Sequence, residues 1–158
     1  MSNRIAYHRI ANEGVNALGK LEAYVRHCGL EHSLLELVKM RASQINGCGY
    51  CLDMHSKDAR AGGETEQRLY VLPAWREAPF YSERERAALE WTEAVTVISQ
   101  NDIPDDLYRR VHAHFSEKEL VDLTLAITTI NSWNRLAISF RSEVGSYQPP
   151  RKSQAAAG

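Results

Sequence analysis

Two cysteines and one histidine are spaced so that a single helix would bring their side chains together. Cys48, Cys51 and His55 stand at positions i, i+3 and i+7, which share one face of an α-helix. At the helix N-terminus the dipole would favour a thiolate at Cys48, and His55, one turn from Cys51, could exchange a proton with its thiol. A thiolate attacks peroxides and disulfides, and a second thiol can resolve the sulfenic acid as a disulfide. The three side chains could therefore form a complete redox site.

A metal-binding or purely structural C-x-x-C is the alternative interpretation. A structural zinc site needs four ligands, whereas Cys48, Cys51 and His55 supply three. The other histidines have no paired spacing that completes a known zinc pattern: His8, His27, His32, His112 and His114. We therefore favour redox chemistry, and we expect neither a metal nor an organic cofactor.

Glu36 has two possible roles. It lies twelve residues before Cys48, on the preceding helix. A tight turn at Asn46-Gly47 between antiparallel helices could bring it beside His55, where a carboxylate could orient the imidazole and take its proton. Glu36 is also the fourth residue of a capping box that begins at Ser33. Both roles remain open at this point.

The apolar residues recur with helical spacing through nearly the whole chain, and no segment alternates convincingly with period two. The sequence therefore predicts an all-α fold of about seven helices, with the C-x-x-C at the N-terminus of a central helix. The predicted helices span residues 10–28, 33–46, 48–61, 66–72, 82–99, 105–115 and 117–143. Ser82 with Glu85 and Ser116 with Glu119 have the form of two further capping boxes, at the starts of the helices 82–99 and 117–143.

The longest predicted helix, 117–143, is mostly apolar and should be buried on several sides. Its polar residues Asn131, Asn134 and Arg135 are expected to make buried hydrogen bonds or subunit contacts. Trp133, on the same helix, is expected in the core or at an interface. An apolar helix of this length in one small domain predicts a homo-oligomer.

The length, net charge and apolar content of the chain limit the class of protein to which it can belong. The 158 residues suit one domain, placed at 1–147, with 148–158 as a tail expected to be disordered. The net charge of −1, without a basic stretch, argues against a nucleic-acid partner. No apolar run is long enough to span a membrane, and Met1–Ile10 lacks the apolar block of a signal peptide, so we expect a cytoplasmic protein. Cys28 stands alone and should behave as a small hydrophobic residue.

The segment from Glu36 to His55 resembles the core motif of the AhpD-like alkylhydroperoxidases, within the carboxymuconolactone decarboxylase superfamily. That motif is a glutamate, eleven residues, then C-x-x-C-x-x-x-H. All four positions match in type and spacing, as does the R-x-S-Q-I-N-G-C text before Cys51. The resemblance continues at Gly63-Glu64 and near 130–136, and it covers about two-thirds of the chain.

The resemblance implies an all-helical fold assembled as trimers or hexamers, and a proton relay at a dithiol site. In that relay Cys51 is the peroxidatic thiol, Cys48 the resolving thiol, His55 the base and Glu36 its partner. The implied activity is reduction of hydrogen peroxide or organic hydroperoxides in antioxidant defence. An external dithiol or a partner redox protein would then reduce the Cys48–Cys51 disulfide.

One position departs from the family pattern. Tyr50 stands where the best-known AhpD proteins carry another relay histidine. Its phenol could donate a hydrogen bond, but an unperturbed pKa near 10 makes it a poor base at neutral pH. The namesake decarboxylases lack the C-x-x-C, so its presence argues against lactone decarboxylation.

Two other functions fit the same residues. The chain could be an electron carrier that reduces the disulfide of a partner protein. It could also be a non-enzymatic redox sensor whose helix packing changes on oxidation. Steady peroxide turnover with a dithiol reductant would separate the peroxidase from both.

Overall fold

The computed structural model describes residues 3–150, which form eight α-helices, one 3-10 turn and no strand. The predicted all-α class is confirmed. The α-helices are α1 Tyr7–Ile10, α2 Asn12–Arg26, α3 His32–Asn46, α4 Gly49–Ala61, α5 Glu66–Val71, α6 Glu83–Thr96, α7 Asp105–His112 and α8 Glu117–Phe140; the 3-10 turn is Leu72–Ala74. Each of α2, α6, α7 and α8 ends two or three residues before its predicted end.

Two of the three predicted capping boxes are present. Ser82 and Ser116 each accept the backbone N–H of a glutamate three residues later, and that glutamate binds the cap backbone in return. The box predicted at Ser33 is wrong. Helix α3 begins one residue earlier, with Glu31 at the N-cap, and no side chain caps it. The carboxylate of Glu36 is instead turned into the interior of the protein.

Helix α3 is the centre of the fold, and it packs against α4, α6 and α8. Its sides enter three separate hydrophobic clusters. Leu35 and Val38 join the largest, with α2, α6, α7 and α8. Leu37 and Met40 join a second, beneath α5 and the Trp75–Tyr81 loop. Ala42 belongs to a small third cluster around both motif cysteines, which also contains residues of α8.

A buried amide network ties the end of α3 to the middle of α8. Asn46 donates to the side-chain oxygens of Asn131 and Asn134, both at 2.9 Å, and Asn134 donates to Ser43 Oγ at 3.0 Å. The predicted buried hydrogen bonds of Asn131 and Asn134 are therefore present. Because Asn46 lies two residues before Cys48, this network fixes the position from which the C-x-x-C begins.

Both ends of the described chain pack near the start of α4. Arg4 donates its backbone N–H to Phe140 at 3.0 Å, and the ring of Tyr7 lies against that of Phe140. After α8 the chain runs back along α4. There Gly145 N–H donates to Asp53 at 3.1 Å and Tyr147 donates its hydroxyl to Asp58 at 2.7 Å.

Two predictions concern the ends of the chain and the membrane. Of the tail predicted to be disordered, Gln148–Pro150 forms no helix, and 151–158 lie outside the described residues. Within residues 3–150 no helix has the length and apolar character needed to cross a membrane. Cys28 is half-buried and packs against the largest cluster, as expected for a small hydrophobic residue.

The amide network should carry a measurable share of the folding free energy. In Asn134→Ala, Ser43 and Asn46 each lose a buried partner, so we expect a loss of about 1–3 kcal/mol in the free energy of unfolding, measured by urea denaturation. Ser132→Ala is the matched control on the same helix, because its hydroxyl only bonds the backbone of its own helix. Equal stability of the two variants would contradict a structural role for the network.

Candidate active site

A tight turn delivers both cysteines to the start of α4. Gly47, in the left-handed conformation at φ 69°, ends α3, and the N–H of Cys48 returns to the carbonyl of Ser43 at 3.0 Å. This is the turn that glycine adopts without steric cost. Cys48 is then the N-cap of α4, and its sulfur accepts the N–H of Cys51. The dipole of α4 therefore acts on this pair of sulfurs.

Cys48 and Cys51 are joined as a disulfide, with their Cα atoms 5.4 Å apart. Both residues are 1% exposed and belong to the third hydrophobic cluster. The alternative of a cysteine-ligated metal fits this form poorly, since neither sulfur is a thiolate in it. The pair is instead placed for reversible dithiol chemistry.

His55 and Glu36 form a buried pair beside the disulfide. His55 Nδ1 donates to Glu36 Oε2 at 2.9 Å, and both side chains are nearly inaccessible to solvent. With Nδ1 engaged as a donor, Nε2 is the ring nitrogen that can accept a proton. The two antiparallel helices joined at Gly47 thus bring Glu36 to His55, and Glu36 has no capping role.

Glu36 is held in its ionised form. Burial alone would raise the pKa of the Glu36 carboxyl, but the hydrogen bond from His55 and the charges of His55 and Lys39 outweigh it, so the pKa lies below its usual value. The carboxylate can therefore stabilise an imidazolium at His55 throughout the neutral range.

A fully buried lysine extends the pair, and the sequence did not reveal it. Lys39 is 1% exposed; its Nζ lies 4.0 Å from Glu36 and donates to Glu22 Oε1 on α2 at 2.5 Å. Lys39 thereby balances two carboxylates inside the protein. Lysine is almost never buried without a partner, and the sequence offered no sign that Glu22 would provide one.

The two cysteines face different cavities. Cys51 lines a cavity of about 260 Å³ together with His55 and Trp133. Cys48 lines a second, of about 510 Å³, between the start of α4 and residues 137–144. Tyr50 and Ala137 border both and form the wall between them. We call these the Cys51 cavity and the Cys48 groove.

A third cavity, of about 430 Å³, opens on the far side of the His55–Glu36 pair. Asp58 lines it, and Glu36, His55 and Asp58 each place one oxygen or nitrogen within 4.8 Å of the others. Such a group could hold a metal ion. Several of its atoms already have partners, however: His55 Nδ1 donates to Glu36, and Asp58 accepts the hydroxyl of Tyr147. Burial and this bond to Asp58 raise the pKa of Tyr147 to about 12.

Tyr50 lies at the position where the family pattern has a histidine. Burial raises the pKa of its phenol above the usual value, and the electrostatic effects of Tyr7 and Asp53 raise it further. Tyr50 is therefore neutral at physiological pH and cannot act as a base. Any relay in this chain must therefore use His55 and Glu36 without a base at position 50.

Two further residues reach the Cys51 cavity from distant segments. Trp133, expected in the core or at an interface, is only partly buried and lines this cavity. Tyr7 arrives from the N-terminal segment through its contact with Phe140. Neither could be assigned from local sequence, because each depends on how a remote helix packs against α4.

The arrangement can perform two-electron thiol chemistry. Cys51 shares a cavity with the imidazole of His55, whose protonated form the Glu36 carboxylate can stabilise. Cys48 is close enough to close a disulfide, and it opens to a different face. Peroxide reduction and disulfide exchange both need these groups.

Comparison with known proteins gives a family. The profile of the Carboxymuconolactone decarboxylase family matches residues 11–94. The chain is 47% identical to the uncharacterized protein YdfG of Bacillus subtilis, over 92% of this chain and 99% of YdfG.

Solved structures agree with this assignment. A protein of unknown function from Agrobacterium tumefaciens, provisionally described as the antioxidant defence protein AhpD, superposes with a TM-score of 0.88 at 46% identity, over 92% of this chain and all of that one. The debrominase Bmp8 shares the fold alone, with a TM-score of 0.73 at 21% identity over 82% of this chain and 70% of its own. The profile match, the YdfG identity and the shared fold show that the chain belongs to the carboxymuconolactone decarboxylase family, with the AhpD-like proteins.

Proposed function

We propose that this protein is a dithiol peroxidase that reduces hydrogen peroxide or organic hydroperoxides through a Cys48–Cys51 disulfide cycle. The observation that carries the proposal is that Cys51 and His55 line one cavity and that His55 is hydrogen-bonded to the buried, ionised Glu36. One relative, the Agrobacterium tumefaciens protein, is provisionally described as an antioxidant defence protein, which supports an enzyme of this general class.

The oxidative half-reaction starts at Cys51. Nε2 of His55 accepts the thiol proton, and Glu36 stabilises the imidazolium. The thiolate attacks one peroxide oxygen, the O–O bond breaks, and the alcohol or water leaves with the proton from His55. Cys51 becomes a sulfenic acid. Cys48 then attacks that sulfur, water leaves, and the disulfide forms.

The reductive half-reaction uses the other face. One thiolate of an external dithiol attacks Cys48 from the Cys48 groove, and Cys51 leaves as a thiolate that His55 can protonate. The second thiol of the reductant then attacks the mixed disulfide, so the reductant leaves as a disulfide and Cys48 as a thiol. Such a cycle suits the reducing cytoplasm. No step needs a metal or an organic cofactor.

The alternatives keep the same site. An electron carrier would use the Cys48 groove to meet a partner protein, and a redox sensor would change its packing on oxidation. The fold also supports other chemistry, since Bmp8 is a debrominase. The Cys51 cavity favours the peroxidase, because both the thiol and its base line a space that suits a small substrate.

We also propose that the protein is a homo-oligomer, a trimer or hexamer. A groove of about 450 Å³ between α7 and α8, here called the α7–α8 groove, has mostly apolar walls. Tyr108 is 44% and Val121 59% exposed there. Large apolar side chains grouped on one face are typical of an interface.

The cysteines should have unequal roles. Cys51→Ser should abolish peroxide consumption, because it removes the thiol that shares the cavity with His55. Cys48→Ser should permit one oxidation per chain, trapped as sulfenic acid or a mixed disulfide, since no resolving thiol remains. The measurement is peroxide consumption with a dithiol reductant, together with intact mass.

Cys28→Ser is the matched control and should turn over like wild type, since Cys28 lies outside the site. If Cys51→Ser is oxidised and Cys48→Ser is not, the two roles are reversed. A wild-type protein that consumes no peroxide but reduces protein disulfides would favour the electron carrier.

The dependence on His55 should vary with pH. The pKa of Glu36 is lowered, so the carboxylate stays ionised from pH 5.5 to 9 and does not itself produce a pH profile. His55→Ala should slow the reaction with peroxide about 10²–10⁴-fold at or below neutral pH. The loss should shrink as the pH rises toward about 8.5, the pKa of a free cysteine, because a thiol then ionises without the help of a base. Glu36→Gln should follow the same trend with a smaller loss.

These rates are measured as second-order constants for peroxide reaction across that pH range. The controls are His114→Ala and Glu77→Gln, which remove a histidine and a carboxylate that lie outside the site and outside the α7–α8 groove. A defect in His55→Ala of equal size at every pH would mean that the histidine only packs. A Glu36→Gln variant with wild-type rates at all pH values would remove Glu36 from the relay.

The oligomer should depend on the α7–α8 groove. Val121→Asp puts a charge on its apolar face, so we expect a lower assembly mass by light scattering at micromolar concentration. Ile98→Asp is the matched control, because Ile98 is equally exposed but lies outside the groove. A monomeric wild-type protein would contradict the proposed assembly.

A further inference from the structure

The Cys51 cavity is lined mainly by carbon. Its walls include three aromatic rings and a thioether, from Tyr7, Tyr50, Trp133 and Met54. At about 260 Å³ it is slightly smaller than the usual pocket for a drug-sized ligand, so it suits a small organic molecule. Hydrogen peroxide alone would leave most of this apolar surface without a partner.

One cation at this cavity is unbalanced. Arg26, the last residue of α2, lines the cavity and is exposed. Among residues 3–150 its guanidinium makes no hydrogen bond or ion pair within 4 Å. Glu22 lies one turn earlier and lines the same cavity, but its carboxylate is occupied by Lys39. The carboxylates that line the neighbouring cavity with Arg26 also have other partners: Glu36 accepts from His55, Asp58 from Tyr147 and Glu64 from Arg68.

The location of Arg26 makes this free charge relevant to the substrate. Arg26 also lines the neighbouring cavity behind Glu36, so it stands where the two openings meet. A guanidinium presents a planar fork of donors that matches a carboxylate in a bidentate geometry. The cavity therefore combines a nucleophilic thiol, an apolar body and an anion-binding rim.

We propose that the preferred substrate of Cys51 is a small organic hydroperoxide that carries a carboxylate, with Arg26 as the residue that binds the carboxylate. This inference rests on the proposed peroxidase function and adds the substrate class. The hydroperoxide end meets Cys51 and His55, while the hydrocarbon lies against the aromatic wall. The redox step is unchanged: the O–O bond breaks, Cys51 is oxidised, the alcohol leaves, and the carboxylate takes no part in the chemistry.

The test compares matched substrates. We would measure kcat/KM for cumene hydroperoxide, its para-carboxylate derivative, and the methyl ester of that derivative. Wild type should prefer the carboxylate over the ester about tenfold, the effect of one charge-assisted hydrogen-bonded pair. Raising the salt concentration should reduce the preference, because Arg26 is exposed and its charge is screened.

The arginine variants assign the preference to one residue. Arg26→Gln should bring the carboxylate-to-ester ratio close to one. Arg109→Gln, the same change at an exposed arginine of α7 outside the cavity, should keep the wild-type ratio. Equal rates for acid and ester in wild type, or an unchanged ratio in Arg26→Gln, would overturn the inference.

A binding measurement keeps this result separate from the peroxidase activity. Calorimetry with 4-isopropylbenzoate, which has the same shape and carboxylate but no peroxide, should show binding that weakens about tenfold in Arg26→Gln and is unchanged in Arg109→Gln. Binding without turnover of any hydroperoxide would refute the peroxidase and retain the anion site. Turnover of cumene hydroperoxide, without binding of 4-isopropylbenzoate and without a preference for the carboxylate substrate, would support the peroxidase and refute the anion site.

Discussion

The hydrogen bond between His55 and Glu36 is the interaction on which the rest of the site depends. An ionised carboxylate inside a protein is costly unless it is paired, and here the partners come from two helices. His55 supplies one and Lys39 the other, while Lys39 is itself balanced by Glu22. Three helices must therefore pack correctly before any of these charges is stable. The contacts that stabilise these charges are also the contacts that the proposed proton transfer would use.

The disulfide has a structural consequence as well as a chemical one. With Tyr50 and Ala137 it separates two openings, and in the proposed cycle Cys51 and Cys48 would meet different molecules there. A substrate in the Cys51 cavity lies next to the base, whereas a reductant in the Cys48 groove approaches the sulfur whose displacement releases the Cys51 thiolate. In the proposed cycle this separation would let one small domain bind an oxidant and a reductant without competition.

The sequence predicted the helices well where local chemistry decides them. The boxes at Ser82 and Ser116 and the glycine turn before Cys48 each use contacts within a few residues, and all three appear. The capping box predicted at Ser33 is absent because a contact between residues far apart in the chain decides where Glu36 lies. A tertiary partner, His55, outcompeted the local backbone for the carboxylate of Glu36. A capping pattern in the sequence contains no information about competition from a residue on another helix.

The sequence by itself determined the all-helical class, the placement of Cys48, Cys51 and His55 on one helix, and the family motif, because these follow from spacing along one element. Only the tertiary structure decided that Glu36 faces His55, that Lys39 is buried, and that the cysteines open to separate cavities. These features join residues that are far apart in the chain. Their contacts depend on how α3 packs among its neighbours, and helical periodicity carries no information about which helices become neighbours.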